Sequence, residues 1–387
     1  MMRATSSDPA ILIGASIPRS GHHFLADMLT AYYGDRLYYC EYYTLATCCK
    51  AVPCTRRGGH EIVYQKSHDR DFKLAADVSD ALYLIQYRHP IPEALSDREL
   101  ELQEKLGRTN LAYRSTRAGY ANWLAGKAVY YRKFHDKWIA NRMTNAIYLD
   151  YAELAADAKP FLKTIVERTT GPADEARLDQ VIEKTRSPRS NANFKPRVAE
   201  DSPYFDAELL APLEAWVLER CPAYNFTSQL NGSYAGSELF GLILLRDPTQ
   251  PLPRGETKRF KVAAELAPHH PEIQKRLAGR ALREGRVPQA MKRLEKLVEE
   301  HPYFPGAYEM LFKICGESGT AIPEFALTGN ALVACSESAE LSMRLGEAFG
   351  GRGLWLNAIA AYSIAAALQP RNKDALDRQA EAIQNAR

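Results

Sequence analysis

The sequence predicts an α/β domain, a parallel sheet flanked by helices, followed by an all-α domain of repeated helix pairs. Three observations predict it. Short apolar runs alternate with helical patterns over residues 1–227, the order expected of a parallel sheet whose crossovers are helices. The C-terminal third repeats with a 34-residue step, kept by Gly285, Gly319 and Gly353 and again by Leu277, Leu311 and Leu345. The length of 387 residues exceeds the roughly 100–200 of one domain, so each part can bury its own core.

The elements follow in order. Ala10 to Ala15, Glu61 to Gln65, Ala81 to Tyr87 and Asn145 to Leu149 read as strands. Helical patterns lie between and after them, at Phe24 to Tyr33, Pro92 to Leu106 and Ala152 to Thr169. Residues 228–256 mix Gly, Ser and Asn with three prolines around one short apolar run, and read as a linker. From 257 to 387 the apolar residues stand at helical spacing, as in Ala290, Leu294, Leu297 and Val298 and again in Ala358, Ala361, Tyr362 and Ala365. Pro268, Pro302 and Pro370 fall on the 34-residue grid, with Ser336 at the intervening place. The glycine suits a tight turn because it tolerates positive φ, and the proline ends the second helix. Glu324 stands where the other units have Ala290 and Ala358, which marks the middle unit as divergent. A two-helix unit of this length resembles the tetratricopeptide repeat, and implies either a stack covering its neighbour or itself, or a groove for a protein partner.

Composition bounds the function. Apolar and charged fractions of 46% and 25% exclude a mainly disordered chain. Fifty Lys and Arg against 47 Asp and Glu give a formal charge of +3, too even to argue for nucleic acid or a membrane surface, so an anionic ligand needs a local basic site. The longest apolar stretches, such as Leu239 to Leu245, fall far short of the roughly 20 residues of a transmembrane helix. The polar start carries no signal-peptide pattern, and the expected compartment is the cytoplasm. Seven cysteines are too few and too uneven for a disulfide framework. Cys40, Cys48, Cys49 and Cys54 crowd together near His60, but their spacing matches no zinc pattern, and no metal is expected.

The chemistry concentrates at strand ends. The first strand runs into Pro18-Arg19-Ser20-Gly21-His22-His23-Phe24 and a helix. Strand, basic glycine-containing loop and helix N-terminus together make an anion site. The loop lacks the Gly-Lys-Ser/Thr ending of a nucleoside triphosphatase, which disfavours a kinase. Later strands lead into Lys66-Ser67-His68 and Arg88-His89-Pro90, Ser96 lies eight residues past Arg88, and Tyr151-Ala152-Glu153-Leu154 follows the last strand.

This ordered set over residues 10–227 resembles the sulfotransferases that use 3′-phosphoadenosine 5′-phosphosulfate (PAPS), and the resemblance implies a sulfotransferase, P-loop-like domain over 1–227. It implies that Arg19, Ser20, Gly21, His22, His23 and Phe24 cradle the 5′-phosphosulfate and that Arg88 and Ser96 hold the 3′-phosphate. The late basic loop from Arg186 to Lys195, with Arg189, would close over the donor. The catalytic set the resemblance implies is Arg19, Lys66, His68 and Glu41, with His68 the first choice of base and Glu41, after the first loop, the second. The acceptor would be a hydroxyl of a carbohydrate, glycolipid or peptide. Arg56, Arg57 and Lys73 are candidates to face an anionic acceptor. His22 and His23 replace the family's two threonines, so its hydroxyl contacts do not carry over. That substitution motivates the alternative, a non-catalytic nucleotide-binding repeat adaptor.

Overall fold

The computed structural model describes residues 9–42, 48–55, 58–104, 111–186, 199–247 and 256–387. The chain forms two compact units, one of Met1–Glu99 with Lys127–Ser233 and one of Leu100–Gly126 with Tyr234–Arg387. In chain order the elements are β1 (Ala10–Ser16), α1 (His22–Tyr33), β2 (Leu37–Glu41), β3 (Ile62–Ser67), β4 (Ala81–Tyr87), α2 (Pro90–Glu104), α3 (Leu111–Arg114), α4 (Arg117–Phe134), β5 (Ala146–Asp150), α5 (Tyr151–Ala156), α6 (Lys159–Thr169), α7 (Glu175–Arg186) and α8 (Ala207–Arg220). There follow α9 (Glu238–Arg246), α10 (Glu256–Leu266), α11 (Pro271–Arg283), α12 (Val287–Glu300), α13 (Pro305–Ser318), α14 (Gly329–Cys335), α15 (Ala339–Gly350), α16 (Trp355–Leu368) and α17 (Lys373–Asn385).

The five strands form one parallel sheet in the order β2-β3-β1-β4-β5. Every residue of β3 and β4 is buried, as parallel strands covered on both faces must be. Leu12, Tyr64, Leu84 and Leu149 join α1, α6 and α7 in one core through Leu25, Leu29, Leu162, Val166 and Leu178. On the opposite face the Tyr83 ring packs 5.8 Å from that of Trp138. The chain leaves β1 for one side of the sheet and returns at β4 on the other. Beside such a reversal the carboxyl ends of the strands open a crevice suited to a ligand.

The second unit is helical, and its turns repeat as its sequence does. Gly285, Gly319 and Gly353 all adopt positive φ, at 74°, 65° and 72°. The following N–H groups of Arg286, Thr320 and Leu354 donate to the carbonyls of Ala281, Cys315 and Phe349 at 2.9, 3.0 and 2.9 Å, the backward bond that closes a glycine-ended helix. The middle pair diverges as its sequence suggests: a short 3-10 turn holds Glu324, and α14 has only seven residues. Residues 100–126, read from sequence with the N-terminal part, belong to this unit, and α9 occupies part of the segment read as linker. Tyr113 packs in its core, with its ring 5.1 Å from Phe304. Among the described residues no helix is long and apolar enough to cross a membrane.

Candidate functional site

Register brings the singled-out residues to one edge of the sheet. Ser16 ends β1 opposite Gln86 of β4, Gly14 pairs with Lys66 of β3, and Glu41 of β2 pairs with the same Lys66. The ends of four strands therefore present Arg19, Glu41, Lys66, His68 and Arg88 around the start of α1.

The loop from Ile17 to Gly21 is held by its own polar groups. The Ser20 hydroxyl, wholly buried, donates to the Ile17 carbonyl at 2.6 Å, so its proton is spent inside the turn. Gly21 takes φ +82 at the start of α1, and no side chain caps that helix. The positive end of the helix dipole lies at this turn, where an anion is favoured. A Cβ on Gly21 would stand 2.7 Å from the Tyr151 ring. Phe24 is half-buried and packs against the sheet core.

Arg19, itself at φ +60, donates through Nε to the Ser96 hydroxyl on α2 at 2.9 Å. Arg88 donates to the Arg19 carbonyl at 3.0 Å and stacks its guanidinium 4.4 Å from the centre of the Tyr151 ring. Its Nε is buried and, among the described residues, has no hydrogen-bond partner. Sequence reasoning pairs Ser96 with Arg88. The structure bonds Ser96 to Arg19, and Arg88 reaches the same loop through the Arg19 carbonyl.

The two candidate bases sit differently. His68 Nδ1 faces the Ser16 carbonyl at 2.9 Å, which only accepts, so Nδ1 carries the proton and Nε2 is the acceptor. Lys66 Nζ lies 3.1 Å from Nε2. Burial first, and then the Lys66 charge, bring His68 down to about 3. Lys66 is itself lowered to about 8 by burial, against the pull of Glu41. Glu41 Oε1 accepts from His23 Nε2 at 3.3 Å and from the Tyr39 hydroxyl at 2.9 Å, with Lys66 Nζ at 3.7 Å. The His23 bond first, and Lys66 after it, outweigh burial and hold Glu41 at about 2.

His22 is buried, with its ring 4.6 Å from His68. Burial, followed by the charges of Lys66, His68, His23 and Arg19, keeps it far below the usual imidazole range and therefore neutral. His22, His23 and Glu41 offer donor atoms within 4.8 Å of one another, a spacing that suits a metal ion. The cations around them oppose one, and sequence gives no metal pattern there.

Sequence reasoning missed the supports behind these groups. Neighbouring tyrosines on α4 hold two strand-end carbonyls: Tyr130 donates to His68 at 2.6 Å and Tyr131 to Arg88 at 2.9 Å. Asp69, also buried, accepts from Lys137 at 2.7 Å and from the Trp138 indole at 2.9 Å. Glu93 is wholly buried 2.5 Å from Lys127, which lies 2.5 Å from Asp97. A Lys-Ser-His sequence marks a strand end, but nothing local marks tyrosines more than 40 residues away. Arg189, Lys195, Arg56 and Arg57 lie outside the described residues. Lys73 is exposed and pairs with Asp71 at 3.7 Å.

On the helical unit, Phe260, Lys275, Arg276, Arg280, Arg283 and Met310 line a basic cleft of about 650 Å³. Compared with protein-family models and with curated proteins, the chain matches none.

Proposed function

We propose that the chain is a PAPS-dependent sulfotransferase whose helical unit is a tetratricopeptide-like repeat stack, with a carbohydrate or glycolipid hydroxyl as the preferred acceptor. One observation carries the reading. Arg19, Lys66 and Arg88, from three strand ends, converge on the start of α1, where Gly21 supplies no side-chain cap, and the buried Arg88 Nε there has no hydrogen-bond partner among the described residues. That is a site for an anion with more than one charged group.

On this reading the phosphosulfate lies against the 19–24 loop, and Arg88 with the Arg19–Ser96 pair takes the 3′-phosphate. The acceptor oxygen bonds to sulfur as the bond from sulfur to the bridging phosphate oxygen breaks, and the nucleotide bisphosphate leaves. Lys66 neutralises the charge growing on that oxygen. Turning to it frees His68 Nε2 to take the acceptor proton. Positioning and charge neutralisation dominate, by analogy with phosphoryl transfer.

A second reading, a nucleotide-binding adaptor without turnover, has its own support: His68 and Glu41 both sit far below neutral, at about 3 and about 2, and are weak bases in this state. Transfer of labelled sulfate from PAPS by purified protein, screened over saccharide, glycolipid and peptide acceptors, separates the two. Turnover with any of them supports the enzyme, and nucleotide binding without turnover supports the adaptor.

A further inference from the structure

Beside β2, the 48–55 segment brings cysteines together. Cys49 Sγ lies 3.3 Å from Cys54 Sγ, and neither is in a disulfide. Cys54 is buried, at 1% exposure, whereas Cys49 is partly open to solvent. The Thr55 N–H points at Cys49 Sγ at 3.4 Å, a contact that favours a negative sulfur. Gln65 Nε2 donates to the Ala51 carbonyl at 2.7 Å and ties the segment to β3, one residue before Lys66.

We propose that Cys49 and Cys54 are a thiol–disulfide redox pair, with Cys49 the accessible sulfur that reacts with small disulfides and Cys54 the buried sulfur that resolves the product. The pair stands independently of a sulfotransferase activity. The sulfurs have only to close from 3.3 Å to the roughly 2.05 Å of a disulfide bond. Burial opposes ionisation of Cys49, but hydrogen bonds with Ala51, Thr55 and Cys54 outweigh it and bring the thiol to about 6, so it is largely thiolate at neutral pH. Cys40, which also hydrogen-bonds with Cys54, is pushed well up, first by burial, and stays a thiol.

With glutathione disulfide as oxidant the chemistry balances. The Cys49 thiolate attacks one glutathione sulfur, that disulfide breaks, and one glutathione thiolate leaves. Cys54 gives its proton to solvent and attacks Cys49 Sγ, the mixed disulfide breaks, and the second glutathione leaves. The protein loses two thiol hydrogens, and the oxidant gains two electrons.

The test uses the full-length protein, reduced and then equilibrated with mixtures of glutathione and glutathione disulfide, with free thiols alkylated before trypsin digestion. Cleavage after Lys50 puts Cys49 and Cys54 on separate peptides. Because Cys40 and Cys48 share the Cys49 peptide, the Cys40→Ser/Cys48→Ser protein is digested beside the wild type. The expected result is a disulfide-linked peptide pair in both proteins, lost in Cys49→Ser. Separate, fully alkylated peptides overturn the proposal, as does a link that survives Cys49→Ser. Should Cys49→Ser fail to fold, the double variant still decides, since Cys49 is then the sole cysteine of its peptide.

Discussion

Arg19 Nε donates to the Ser96 hydroxyl at 2.9 Å across 77 residues of sequence. The bond fixes the loop after β1 against α2, while Arg88 holds the same residue by its carbonyl at 3.0 Å. Ser96→Ala is expected to weaken nucleotide binding by about 1 kcal/mol, the net worth of one hydrogen bond, and to leave the melting temperature almost unchanged. Calorimetric titration checks it, and an unaltered affinity would show that Arg19 needs no anchor on α2.

Gly21→Ala is expected to act on both fold and ligand. Its φ of +82 costs a non-glycine residue roughly 1–2 kcal/mol, and the new Cβ would meet the Tyr151 ring at 2.7 Å. Because Tyr151 carries the Arg88 guanidinium, a displaced ring should lower nucleotide affinity as well as the melting temperature. A variant with wild-type unfolding and binding would show that the turn yields at no cost.

His68→Gln and Glu41→Gln distinguish the two bases proposed for sulfuryl transfer. Loss of the true base is expected to cost about 10²–10⁴ in turnover with nucleotide affinity nearly kept. In the free protein His68 sits at about 3, lowered by burial and then by Lys66. Donor phosphate drawing the Lys66 charge away should raise it. The acid limb of kcat, which reports the complex, is therefore expected at higher pH than that of kcat/KM, which reports the free enzyme. Full turnover in His68→Gln with an unmoved limb would give the role to Glu41.

Which features were legible follows from where their causes lie. The strands β1 and β4 are near-continuous apolar runs, as parallel strands covered on both faces must be, and they, β3 and the edge strand β5 stand within a residue or two of their sequence positions. The strand β2 was not seen. It lies at the sheet edge with only Leu37 and Cys40 buried, and Tyr-Tyr-Cys-Glu has no period to betray it. Residues 152–169 read as one helix but form two, because Asp157 is extended and Pro160 opens α6. The strand-end motifs were legible because their neighbours in sequence are their neighbours in space. The bonds from Tyr130, Tyr131 and Lys127, and from Arg19 to Ser96, were not, since they cross 34 to 77 residues of chain.

Glu93 gives a pH signature to stability. Burial raises its carboxyl to about 7 in spite of Lys127, so the folded protein holds that proton more tightly than the unfolded chain does. Its contribution is present below the ordinary 4.5 and is lost as pH rises to 7. Glu93→Gln should flatten the stability curve over that window, measured by denaturant unfolding. Lys127→Met, which removes the cation beside Glu93, should raise that carboxyl further and carry the loss of stability to higher pH. A slope unchanged in Glu93→Gln would remove Glu93 as its source.

The central claim, a site built for a nucleotide with phosphate at both ends of its ribose, is tested most directly by calorimetric titration of the wild-type protein. The ligands are 3′-phosphoadenosine 5′-phosphate, adenosine 5′-phosphate and ATP. The bisphosphate is expected to bind tightest, with its 3′-phosphate contributing about 1.5–3 kcal/mol, a factor of tenfold or more, and Arg88→Ala should erase most of that margin. Equal affinity for the bisphosphate and the monophosphate, or tighter binding of ATP, would contradict the account.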